Sequence, residues 1–150
     1  MHQFGISDYE AYWKTRPLDR PLRDRKREFA LLTRLLPPPR KILELGPGGG
    51  HLFWTLHKAG YDMYAVDISQ TALDHLGAPP ERALKADLDA GLPDFGTRFD
   101  GIVALMLLHH IASPRQFLER LRGAIQPGGY LLLTAPNIVL LKNRLRLLAG

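Results

Sequence analysis

The stretch Ile42-Leu43-Glu44-Leu45-Gly46-Pro47-Gly48-Gly49-Gly50 decides the fold. A short apolar run passes straight into a glycine-rich turn, and a helix-like segment follows from about Gly50 to Ala59. Glycine accepts positive φ and lets a ligand touch the main chain. At the end of a parallel strand, such a loop is where open α/β sheets hold nucleotide-like ligands. The dinucleotide fingerprint G-x-G-x-x-G, started at Gly46 and Gly48, needs a small residue at position 51, and this chain has His51 there. An imidazole blocks close helix–strand packing and crowds a pyrophosphate. The spacing that fits is E-x-G-x-G-x-G, carried by Glu44, Gly46, Gly48 and Gly50. An acid ahead of the glycines repels a pyrophosphate and suits a ligand with a cationic amine and a sulfonium.

Working outward, strands and helices alternate. Lys41–Leu45 reads as the first strand, and Gly60 closes the helix after it. Tyr61–Val66 reads as a second strand ending at Asp67, and Ser69 can cap a helix over Gln70–Leu76. Pro79-Pro80 breaks the chain before a short third strand, Arg82–Ala86, and residues 88–98 are turn-rich. Phe99–Met106 is a near-continuous apolar run, as expected of a parallel strand buried on both faces. Pro114–Ile125 reads as a helix, Pro127-Gly128-Gly129 as a turn and Tyr130–Thr134 as a fifth strand. Upstream, residues 8–36 look helical, with Asp8 as candidate cap and Pro17 and Pro21 splitting the stretch in two. The fold class is α/β, a doubly wound and mainly parallel sheet with right-handed crossovers.

Three strand ends carry chemistry. Asp67 closes the second strand, where a carboxylate can accept both hydroxyls of a ribose; capping the next helix is the competing role, and Ser69 is also available for that. Asp87 closes the third strand, where it can accept from an exocyclic amine while Leu88 packs on a base; Asp89 competes for the role, and a plain turn aspartate is the alternative. His109 and His110 follow the fourth strand, and either imidazole can serve as a general base. Adjacent side chains point in different directions, so only one can face a substrate, and a loop-ordering histidine is the favoured reading.

The glycine motif resembles the first motif of class I S-adenosylmethionine-dependent methyltransferases. Phe99-Asp100-Gly101-Ile102 with Leu107-Leu108-His109-His110-Ile111 is similar to the corresponding segment of the broad small-molecule group of that family. The resemblance covers about residues 8–140. It implies a Rossmann-like sheet of strand order 3-2-1-4-5, S-adenosylmethionine as cofactor and S-adenosylhomocysteine as product. It implies cofactor contacts at Glu44, Gly46, Gly48, Gly50, Asp67, Ile68, Asp87, Leu88, Leu105 and Met106. Related enzymes also fold an N-terminal aromatic and basic segment over the cofactor; here Tyr9, Tyr12, Trp13 and Arg16 are expected to pack in the core instead. The family's sheet normally continues with two more strands, which this sequence lacks. The tail instead reads as a basic amphipathic helix from Ile138 to Ala149. A bare fifth strand invites pairing, so the chain is a fragment, or the tail or another subunit covers that edge. The expected organisation is a helical segment over 1–40, a cofactor-binding core over 41–136 and the tail over 137–150.

The function expected is methyl transfer to a small-molecule or lipid-like acceptor. The alternative is a cofactor-binding or interaction subunit that is catalytically incomplete alone. The chain has 150 residues, no cysteine and a net charge of +5. Residues 1–41 hold ten Lys/Arg and five Asp/Glu, residues 42–111 four and nine, residues 112–150 six and one. The core is therefore acidic between basic flanks, which read as solvated helical faces rather than a nucleic-acid surface. No signal pattern and no apolar run of ~20 residues occurs, so a cytoplasmic location is expected. Absent cysteine excludes covalent cytosine methylation. The histidines lack metal-site spacing, so no metal is expected.

Overall fold

The computed structural model describes residues 6–15 and 25–137. Five parallel strands form one sheet: β1 (Lys41–Leu45), β2 (Asp62–Asp67), β3 (Ala83–Lys85), β4 (Phe99–Leu105) and β5 (Ile125–Thr134), in the order β3-β2-β1-β4-β5. The helices are α1 (Ile6–Thr15), α2 (Lys26–Leu35), α3 (His51–Lys58), α4 (Gln70–Leu76) and α5 (Pro114–Ala124), with a 3₁₀ turn over Leu108–His110.

Alternation along each strand sorts side chains into two cores. Ile42, Met63, Ala65 and Val103 pack with Leu32 of α2, Leu52, Phe53 and Leu56 of α3, and Leu73 and Leu76 of α4. Leu43, Leu45, Tyr64, Val66, Ile102 and Ala104 face the other way, against Phe117 and Leu121 of α5. The 86–98 segment completes that second layer through Leu88 and the half-buried Leu92 and Phe95. Burial on both faces explains why β4 reads as continuously apolar rather than alternating.

Register fixes what meets at the sheet's C-terminal end. Leu45 pairs with both Val66 and Ala104, so β1, β2 and β4 finish together. The Gly46 N–H continues the ladder by donating to the Val66 carbonyl at 2.8 Å. Past that point the three chains splay, and the glycine loop, Asp67 and Met106 surround one depression.

Most expected elements stand within a residue or two. Ser69 caps α4 as expected, its hydroxyl accepting the Ala72 N–H at 3.2 Å. Two expectations change. Asp8 lies inside the first turn of α1, which begins at Ile6, and is not its cap. Pro127-Gly128-Gly129 is a bulge within β5 and not a turn before it: Phe99 pairs with Ile125, but Gly101 pairs with Tyr130. Two steps along β4 thus match five along β5, and the surplus residues bow out at the sheet edge. Pro17, Pro21, Arg16 and the expected tail helix lie outside the described residues. Among those described, no helix is long and apolar enough to cross a membrane.

Candidate functional site

Above the ends of β1, β2 and β4 lies a cavity of about 670 Å³. That is ample for a nucleoside-sized ligand. Its sheet-side wall includes Gly46, Gly48, Asp67, Ile68, Leu105 and Met106, with both Asp87 and Asp89 beside Leu88. Its outer wall is α1, through Asp8, Tyr9, Tyr12 and Trp13, and Leu107, His110 and Ile111 complete it.

The glycine loop is built for close approach. Gly46, Gly48 and Gly50 all have positive φ, which a side chain makes costly. A Cβ on Gly48 would stand 3.1 Å from the Trp13 ring, within the cavity. The role of Gly50 is different. It does not line the cavity, and a Cβ there would stand 2.6 Å from Leu76 Cδ1. Gly50 lets α4 lie against the start of α3.

Asp67 is buried, and its carboxylate accepts the Ser69 N–H at 2.9 Å. The amides of Gly48 and Ile68 also favour its charged form. Burial raises its pKa above the ordinary value, while these three amides oppose that rise. The carboxylate therefore fastens the glycine loop to the tip of β2 while lying in the cavity wall. Of the two roles weighed for it, capping of α4 falls to Ser69, and the Asp67 carboxylate faces the cavity.

Asp87 and Asp89 divide the work on the next loop. Asp87 lines the cavity and its Oδ1 accepts the Asp89 N–H at 2.9 Å, a local turn. The Asp89 carboxylate accepts from the Ala112 amide at 2.9 Å and the Ser113 amide at 3.4 Å, tying the loop to the start of α5. Arg120 reinforces the tie by donating to the carbonyls of Leu88 and Asp89, at 3.2 and 2.8 Å.

Glu44 lies elsewhere. It shares strand parity with Ile42, so its side chain enters the α3 layer, where the Phe53 amide donates to it. It is not part of the cavity wall. Its Oε2 is buried with no hydrogen-bond partner. Burial pushes its pKa up to about 8, against the pull of Arg25. The motif placed Glu44 among the ligand contacts, and the structure places its side chain beneath α3, outside the cavity wall.

The two histidines separate. His110 lines the cavity and His109 does not. Nδ1 of His110 stands 2.9 Å from the Tyr9 hydroxyl, a bond between the cavity's two walls. Burial lowers the His110 pKa, and the neighbouring His109 lowers it further; burial raises that of Tyr9. Both shifts favour the neutral form of the group.

Met106 marks the pivot where β4 leaves the sheet. It has φ of 57°, a strained value for a residue with a side chain. Its N–H is held by the carbonyl and the hydroxyl oxygen of Thr134, both at 3.0 Å. Tyr9, Tyr12 and Trp13, expected in the core, instead form the outer wall, and Tyr12 stays 47% exposed. Among the described residues, no three His, Asp or Glu side chains gather as a metal ion requires.

An open parallel sheet with a glycine loop after β1, an acid at the tip of β2 and an acid after β3 defines a nucleoside-binding α/β domain. Residues 12–149 match the family model of the methyltransferase domain, and the chain belongs to that family. It is 32% identical over 108 residues to a ubiquinone biosynthesis O-methyltransferase of Azorhizobium caulinodans, covering 65% of this chain and 40% of that one. It is 35% identical over 120 residues to an uncharacterized methyltransferase of Mycobacterium tuberculosis, covering 76% of this chain and 60% of the other. The chain spans about two-fifths of the length of the first of these relatives. The glycopeptide N-methyltransferase MtfA, solved with S-adenosylmethionine, superimposes with a TM-score of 0.56 at 27% identity, over 71% of this chain and 51% of that one. The DhpI–SAM–HEP complex shares the fold, with a TM-score of 0.64 at 24% identity over 97% of this chain and 69% of its own.

Proposed function

We propose that this chain binds S-adenosylmethionine in the cavity at the C-terminal end of its sheet and supports methyl transfer to a small-molecule or lipid-like acceptor. The observation that carries this reading is the buried Asp67 carboxylate beside Gly48 in the cavity wall. The donor and acceptor chemistry fits the group. Asp67 suits a pair of ribose hydroxyls, Asp87 an exocyclic amine and Leu88 a base face. Gly46 and Gly48 leave room for main-chain contact, and Leu105 and Met106 offer backbone and apolar surface to the remainder.

When bound, S-adenosylmethionine supplies an electrophilic methyl on a sulfur that leaves readily. The chain's own task is then alignment in a closed cavity and a destination for any proton on the acceptor. His110 and Tyr9 are the groups placed for that proton. A neutral imidazole can accept it, directly or through the Tyr9 oxygen. His109 lies outside the cavity wall, its ring against that of His110.

The deciding experiment is calorimetric titration of the chain and of Asp67→Ala with S-adenosylmethionine. Loss of two hydrogen bonds to a charged group predicts an affinity lower by about 100-fold. Unchanged affinity in the variant refutes the ribose assignment.

A further inference from the structure

Glu10 lies on α1 but outside the cavity wall, and its carboxylate is the most heavily hydrogen-bonded side chain in the vicinity. Oε1 accepts from the Gln70 amide at 2.7 Å and from Lys85 Nζ at 3.0 Å. Oε2 accepts from the Ser69 hydroxyl at 3.0 Å, the Thr71 hydroxyl at 2.8 Å and the Thr71 amide at 3.2 Å. One side chain thereby joins α1 to the first turn of α4 and to β3. Desolvation pushes its pKa upward, but the bonds from Gln70, Thr71 and Lys85 outweigh this and hold it well below the ordinary carboxylate range.

The network continues inward. Ser69, which donates its hydroxyl to Glu10, donates its amide to Asp67 Oδ1, and Asp67 lines the cavity beside Gly48, whose amide favours the charged carboxylate. Trp13, three residues along α1 from Glu10, stands over Gly48 from the other side. The α1 helix therefore meets the glycine loop by two routes, through hydrogen bonds from Glu10 and through the Trp13 ring. A helix of 10 residues has little stability of its own, so its placement depends on such tertiary contacts.

We propose that Glu10 is a positioning residue for the methyl-donor site: without touching the ligand, it clamps α1 over the cavity and holds the Ser69–Asp67–Gly48 chain in register. This rests on the cofactor reading above. Unclamping lets the wall formed by Tyr9, Tyr12 and Trp13 swing away, and a bound nucleoside escapes faster.

The test has two arms. In the ligand-free chain, hydrogen exchange is followed for the amides of α1 and for those of β1 and β4. Glu10→Ala raises exchange in α1 about tenfold or more and leaves β1 and β4 unchanged, because only local opening is affected. Glu10→Gln, which keeps an acceptor oxygen, and Lys85→Met, which removes a single donor, have smaller effects in the same direction. In the second arm, calorimetry with S-adenosylhomocysteine gives affinity lower by about tenfold for Glu10→Ala, through faster release. Unchanged α1 exchange in Glu10→Ala overturns the clamp. So does a rise shared equally by β1 and β4, which marks a general loss of stability. Unchanged affinity with altered exchange overturns the link to the site. A parent chain that binds no S-adenosylhomocysteine refutes the cofactor reading and the purpose assigned to the clamp, while the exchange arm still judges the clamp itself.

Discussion

The two walls of the cavity are made in different ways. The sheet-side wall is placed by backbone: Gly46, Gly48 and the strand tip that carries Asp67 are set by the ladders among β1, β2 and β4. The outer wall is side chain: Tyr9, Tyr12 and Trp13 project from a short helix whose described anchors include one carboxylate, Glu10, and one hydroxyl–imidazole contact, Tyr9 to His110. A ladder is cooperative and local errors in it are costly, so the first wall is rigid. The second rests on contacts between side chains of distant segments, which local opening can break without unfolding the sheet. Such a division gives a fixed surface for recognition and a movable one for entry and closure.

The contrast can be broken most severely at the rigid wall. Gly48→Val forces a branched side chain into a φ of 55° and drives its Cβ to 3.1 Å from Trp13. The left-handed backbone alone costs roughly 1–2 kcal/mol for a residue with a Cβ. Binding of S-adenosylmethionine should fall below calorimetric detection, while circular dichroism retains the parent's secondary structure. On the movable wall, Trp13→Ala removes contact area without straining the backbone. Affinity should drop about tenfold, the scale expected of an aromatic anchor. Parent-like affinity in Trp13→Ala would show that α1 is no part of the binding surface.

The smallest effect on binding is expected at Glu44, which belongs to neither wall. Glu44→Gln should leave affinity unchanged and instead alter how stability depends on pH. In the folded chain burial raises the Glu44 pKa to about 8, from an ordinary 4.5. Between those values the folded state holds a proton that the unfolded state has released. The parent should therefore lose stability as pH rises from about 4.5 to about 8, and the variant should lack that decline. Urea denaturation midpoints across this range decide it; identical pH profiles would show that the acid is not buried in its protonated form.

Legibility in the sequence divided along the same line. The strand–glycine–helix stretch, the Ser69 cap and the continuously apolar β4 were readable because each depends on neighbours in the chain. The place of Asp67 was readable because it ends β2, whereas β3 stops at Lys85 and leaves Asp87 in the loop two residues beyond. Gly50 and Glu44 could not be assigned from spacing. The motif brackets them with Gly46 and Gly48, yet one contacts Leu76 and the other lies beneath Phe53. A consecutive Ser69-Gln70-Thr71 signals a well-capped helix start, but not that its donors converge on a carboxylate about 60 residues earlier.

By itself the sequence determined the class of fold, the strand order its family resemblance implied and the acids at the strand tips, since periodicity and turn chemistry act over a few residues. Only the tertiary structure decided which of two adjacent histidines faces the cavity, that the aromatic residues of α1 form a wall and not a core, and that Glu44 is sealed away from the site. Those outcomes depend on which surfaces meet across the sheet and the helix layer, and the distances involved are short in space while long in sequence: Tyr9 and His110 are separated by 101 positions and 2.9 Å.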